Sequence, residues 1–165
     1  MPVNRKSGTM DQSRQQLNYR EALSKASEIC SRSEKCAFDV ELKCREWQLE
    51  SDETAKIVAF LVAEKYIDHL RYARSFVNDK FRFNKWGKVK IAYQLRQKHL
   101  GEREIQEAMS VIPEDQYAQV LLDLLSAKAK TIKEKDGYAR RSKLLAFAQS
   151  RGFETEEALR VISRM

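Results

Sequence analysis

The chain has 165 residues, is 42% hydrophobic and 33% charged, and carries a net charge of +7. That length admits one domain or a string of small units, and no stretch reaches the apolar length of a membrane-spanning helix. Five glycines and two prolines, set against abundant Ala, Leu, Glu, Lys, Arg and Gln, exclude a strand-rich chain and favour helix nearly everywhere.

Residues 1 to about 16 are polar and aperiodic, and a disordered tail is expected over 1–17. Arg5 and Lys6 have no apolar run behind them, so a signal peptide is unsupported and a cytoplasmic protein is expected. Cys30, Cys36 and Cys44 match no zinc pattern, and His69 and His99 lie far from them in sequence. Reduced thiols packed in helices are the expectation, with no metal and no cofactor.

From Leu17 onward the apolar residues recur at helical steps. Leu70, Ala73, Val77 and Phe81 form one stripe, Ile91 and Leu95 the next, then Ile105, Ala108, Met109 and Ile112. Tyr117, Val120, Leu121, Leu124 and Leu125 follow, then Leu144, Leu145 and Ala148, then Ala158, Leu159 and Ile162. The breaks between them repeat. The stretch around Leu100 aligns with that around Phe153, and a weaker copy surrounds Leu49, giving spacings of 51 and 53 residues.

In the last copy Gly152 sits where a helix C-terminus wants a left-handed residue, and His99 and Gln48 occupy the same place in the others. The expected architecture is therefore all-α: three tandem three-helix repeats, over 18–66, 67–112 and 113–165, forming an elongated, curved array. A compact nine-helix globule is the plainer alternative.

Charge is concentrated in one place. Between Lys80 and Lys98 there are seven basic residues, Lys80, Arg82, Lys85, Lys88, Lys90, Arg96 and Lys98, and no acidic one. Phe81, Phe83, Trp86 and Tyr93 are interleaved with them. Such a run suits phosphate contacts with little base specificity, although a solvated face needing no partner has the same composition. Trp86-Gly87 should separate two helices, the second starting near Lys88, with Lys88, Arg96 and Tyr93 turned away from the Ile91/Leu95 stripe. Phe81 belongs to the core stripe. Core is also the expectation for Phe83 and Trp86 taken singly, against stacking on bases or insertion into a partner.

A second cluster, Lys128, Lys130, Lys133, Lys135, Arg140, Arg141 and Lys143, is diluted by Glu134 and Asp136. No phosphate-cradling glycine loop, nucleophile motif or metal-ligand spacing is present. Glu102, Glu104 and Glu107 are accounted for by a helix dipole. The expectation is a binding protein with no catalytic residues.

The run Tyr66-Ile67-Asp68, then Tyr72-Ala73, Phe76-Val77, Gly87, Leu95, Lys98 and Ile105, resembles the RecX family, regulators of the bacterial RecA recombinase. The resemblance covers the chain after the tail and is clearest from Tyr66 to Met109. Asp68-His69 stands where the family commonly has paired acids, and Lys98-His99-Leu100 where it has Lys-Gly-Ile. The resemblance implies an inhibitor of RecA, a monomer lying in the groove of the RecA–DNA filament, with contacts to single- and double-stranded DNA. The candidate contact residues are Lys80, Arg82, Lys85, Trp86, Lys88, Lys90, Arg96, Lys98, Arg140, Arg141 and Lys143. A non-specific nucleic-acid-binding helical protein, or a helical scaffold without DNA, stays open beside it.

Overall fold

A computed structural model describes residues 16–165. Among the described residues there are nine helices and no strand. They are α1 (Tyr19–Arg32), α2 (Ala37–Glu46), α3 (Ser51–Ala63), α4 (His69–Arg82), α5 (Lys88–Gln97), α6 (Glu102–Met109), α7 (Glu114–Ala129), α8 (Gly137–Ser150) and α9 (Thr155–Ile162). They fall into three groups of three. The tail expected over 1–17 lies outside the described residues except at its end, where Leu17 is buried in the first core.

The repeat is visible at single-bond level. The second helix of each group ends at a residue with positive φ: Gln48 at 60°, His99 at 59° and Gly152 at 88°. In each case the next N–H reaches back five residues, Leu49 to Cys44 O, Leu100 to Leu95 O and Phe153 to Ala148 O. The left-handed residue itself bonds three back, to Arg45, Arg96 and Gln149. This is the Schellman closure, and the side chains it brings together are apolar in all three copies. One motif, used three times, sets the angle between the second and third helices of every group.

The cores do not divide evenly. Ala22, Ala26, Val40, Cys44, Ile57, Leu61 and Ile67 line a first core within α1–α3 and the start of the following linker. A second core runs without interruption from Tyr72 to Ile162 and so joins α4–α6 to α7–α9. Cys36, at the N-cap of α2, is buried in that second core rather than its own. Burial pushes its thiol up to about 11, so the group stays protonated at neutral pH.

The seam between the second and third groups is built from backbone. Gly87 N–H donates to Arg151 O at 2.8 Å, and Val89 N–H to Gly152 O at 2.9 Å. A Cβ on Gly87 would stand 2.2 Å from Gly152 O, and one on Gly152 2.2 Å from Lys90 Cβ. Tyr117 completes the seam. Its hydroxyl accepts from Lys88 N–H at 3.0 Å and donates to the Glu154 carboxylate, while its ring packs between Phe81 and Phe153.

The seam between the first and second groups is built from side chains. Lys98 pairs with Asp39 at 2.6 Å, Arg71 with Glu34 at 2.6 Å, and the Phe38 and His99 rings meet edge-on at 4.9 Å. His69 Nε2 accepts from Ala37 N–H at 3.4 Å. Burial alone would raise the Asp39 carboxyl, but the Lys98 ammonium and Cys36 N–H outweigh it and hold the group below its ordinary 3.8. A carboxylate depressed by folding contributes its full stability above the unfolded value and loses it as pH falls through the folded one.

Gly152→Ala adds a Cβ where φ is 88° and space is absent, and should cost roughly 3 kcal/mol, read as a lowered urea midpoint. Asp39→Asn should lower stability at neutral pH and flatten the acid limb below pH 3.8, while leaving the alkaline side unchanged.

Candidate nucleic-acid interface

The α4–α5 loop is the centre of the basic segment. Trp86 N–H closes α4 by donating to Lys80 O at 3.1 Å. That bond fixes the indole beside the α4 terminus, half-buried against the second core. The Lys80 ammonium lies 5.1 Å and the Lys90 ammonium 4.6 Å from the indole centroid. Two like charges are thereby held close together, each offset by the ring's π density. Lys85, at φ 56°, makes the sharp bend that brings the chain back to Trp86.

Sequence reasoning overlooked Arg151. The α8 terminus sits against this loop, and Arg151 Nη2 donates to Asn84 O at 3.0 Å. Its Nε is buried without a hydrogen-bond partner among the described residues. The repeat held the signal, since Arg151 occupies the same C-cap place as Lys98 and Trp47.

The eleven candidates do not form one surface. Lys80, Trp86 and Lys90 come together. Arg82 and Lys85 are exposed on the same short segment and have no ion pair among the described residues. Lys88 turns toward Tyr117, its ammonium 4.6 Å from that ring, and rims a hollow with Glu114, Asp115, Glu154, Glu156 and Glu157. Lys88 therefore faces a mixed hollow, with Arg160 and Arg164 lining it beside the carboxylates.

Arg96 makes a two-pronged pair with Glu102, at 2.9 and 2.7 Å, and the guanidinium holds that carboxyl at about 2. Lys98 belongs to the seam with the first group.

The second cluster lies at the other end of α8, about 16 Å along the helix from Arg151 at the usual rise per residue. Arg140 is committed to closing α7, donating to Ala129 O at 2.8 Å and Ile132 O at 3.3 Å. Lys143 is paired with Glu134. Arg141 alone of the three is exposed without an ion pair among the described residues.

The aromatic residues divide in a way the pattern did not give. Phe81 is buried as expected, but Phe83, expected in the core, is 80% exposed. It is the C-cap of α4, and the helical stripe that carries Phe81 inward turns the next positions outward. Val89 and Tyr93, four residues apart on α5, are 54% and 56% exposed and share its outer face. No group of three or more His, Cys, Asp or Glu side chains is placed to hold a metal among the described residues. No helix there is long and apolar enough to cross a membrane.

These features define a tandem three-helix-repeat protein with a lysine-and-tryptophan joint between its second and third repeats. Residues 68–109 match the RecX second three-helix domain, and residues 114–162 match the RecX third three-helix domain. The chain is 26% identical over 152 residues to the Regulatory protein RecX of Clostridium acetobutylicum, covering 90% of this chain and 70% of that one. It is 31% identical over 139 residues to the Regulatory protein RecX of Clostridium botulinum strain Alaska E43, covering 83% of this chain and 63% of that one. The crystal structure of RecX from Lactobacillus salivarius superimposes with a TM-score of 0.79 at 17% identity, over 88% of this chain and 95% of that one. The chain belongs to the RecX family.

Trp86→Ala tests what the indole does at the joint. Removing a half-buried indole should cost about 2–3 kcal/mol and lower Tm by roughly 5–10 °C in a chain of this size, measured by circular dichroism. Lys80→Met or Lys90→Met should each change Tm by far less, because Met keeps most of the packing of the aliphatic stem and a single cation–π contact is worth about 0.5–1 kcal/mol.

Proposed function

We propose that the chain regulates RecA, as an inhibitor that lies in the groove of the RecA–DNA filament and performs no catalysis. It acts as a cytoplasmic monomer built of three groups, over 18–66, 67–112 and 113–165, the last two of which share one core. The single observation carrying this reading, in a member of the RecX family, is the clustering of Lys80 and Lys90 on Trp86 at a backbone-built joint. A charged cluster on a stiff support pre-pays the ordering cost of binding a phosphate backbone. Arg82 and Lys85 extend it with side chains not engaged in ion pairs, and Arg141 offers a separate unpaired charge at the far end of α8. Lys88, Arg96, Lys98, Arg140 and Lys143 then serve chiefly to hold the support together.

A second reading, plain competition for DNA, draws on Phe83 and Tyr93. Exposed rings among basic side chains can stack on the bases of a single strand without reading sequence.

The deciding measurement is the ATPase rate of the cognate RecA on single-stranded DNA, with this protein added after filaments have formed. Inhibition at concentrations too low to cover the free DNA is the expected result. Inhibition only when the DNA is sequestered would establish the competing reading. Arg82→Glu, Lys85→Glu and Lys90→Glu combined should weaken single-strand binding and reduce the slope of log K against log salt by roughly 2. Filament inhibition should weaken with it.

A further inference from the structure

Three half-buried cations border the joint between the second and third groups. Lys80 and Lys90 lie on the Trp86 ring, 5.1 and 4.6 Å from its centroid. Arg151 comes from the third group. Its main-chain oxygen accepts from Gly87 N–H at 2.8 Å, and its Nη2 donates to Asn84 O at 3.0 Å. Lys90 also lies against the residue that follows Arg151, since a Cβ on Gly152 would stand 2.2 Å from Lys90 Cβ. None of the three cations is in an ion pair among the described residues, whereas Arg96 and Lys98 further along α5 both are.

Charge partly withdrawn from water is costly unless something offsets it. The indole face does so in part for the two lysines. For Arg151 the deficit is more specific. Its Nε is shut off from water and has no acceptor among the described residues. An N–H left in that state is expensive, and folded proteins keep few of them. One hydrogen bond, to the carbonyl of the exposed loop residue Asn84, holds the guanidinium among the described residues. Giving up that one contact lets the fork turn to a ligand.

We infer that the joint is a site for one phosphate group, held by Lys80 and Lys90 of the second group and by Arg151 of the third. Cations reaching in from two groups call for an anion with oxygens on several sides. A carboxylate offers two in one plane, whereas a tetrahedral phosphate offers more, and the guanidinium fork matches two of them at once. The group is supplied by a nucleic-acid backbone or by a free polyphosphate, which present the same chemistry. The inference rests on the phosphate-contact reading of the joint proposed above. It adds Arg151 as a ligand, and it makes the second and third groups share the anion as they share the core.

The test is an NMR titration of the isotope-labelled full-length chain with pyrophosphate at constant ionic strength, with neither RecA nor DNA present. Amide shifts should centre on both sides of the joint, at Asn84 and Lys90 and at Arg151 and Gly152. Arg151→Lys keeps the charge but loses the fork and the Nε–H, and should weaken Kd by about fivefold or more. Shifts confined to 80–90, no shifts, or a Kd that Arg151→Lys leaves unchanged overturns the inference. So does succinate moving the same amides as far at the same concentration, because a protein carboxylate would then be the ligand. If Arg151→Lys does not fold, Lys80→Met and Lys90→Met take its place, and an unchanged Kd in both is the overturning result. A short oligothymidylate that displaces pyrophosphate supports the site and assigns its phosphate to a nucleic-acid backbone. One that does not displace it supports the site with a free polyphosphate as ligand. Because RecA is absent, failure here leaves the ATPase measurement standing, and failure of filament inhibition leaves this site standing.

Discussion

The approach of Gly87 to Gly152 is the constraint on which the rest of the molecule depends. Two backbones meet with no room for a Cβ on either, and two main-chain hydrogen bonds form across the gap. That contact lets Tyr117 reach both Lys88 N–H and Glu154, which in turn continues the core from Phe81 to Phe153. Burial, and after it the Glu154 carboxylate, push the Tyr117 phenol up, so the hydroxyl stays protonated and keeps donating across the seam. A small chain of repeats thereby gains one core shared by two groups, which a group of this size does not readily supply alone.

The same constraint explains why the basic segment is not a uniform charged face. Because α5 must start at Gly87, Lys88 and Lys90 emerge in different directions. One is turned to Tyr117 and the carboxylates beyond it, the other to Trp86. Arg96 and Lys98, further along α5, are drawn into pairs with Glu102 and Asp39. The basic side chains of this segment left outside ion pairs among the described residues are few: two lysines on an indole, with Arg82 and Lys85 beside them.

Much of this was legible in the sequence, for a physical reason. The helix-closing positions Gln48, His99 and Gly152 recur at matching intervals, and a left-handed residue is a local requirement that a single chain displays. Helical stripes such as Val77 to Phe81 are likewise local, and their burial follows from period alone. Contacts between groups are not local. Nothing within one stretch of sequence says that Cys36 fills a neighbour's core, that Lys98 meets Asp39, or that Arg151 closes on Asn84. Phe83 was misjudged because hydrophobicity predicts burial only where the backbone turns a side chain inward, and a helix C-cap need not.

The two seams differ in kind: one has main-chain bonds across touching glycines, the other ion pairs, ring edges and the buried Cys36 side chain, with no main-chain bond across it beyond the linker among the described residues. Mechanically the two joints are of unequal strength. The last two groups are joined by backbone and a shared core, while the first is held by side chains, Cys36 and Phe38 against the second core among them. A load pulling the chain apart would therefore part the first group from the second before it parted the second from the third.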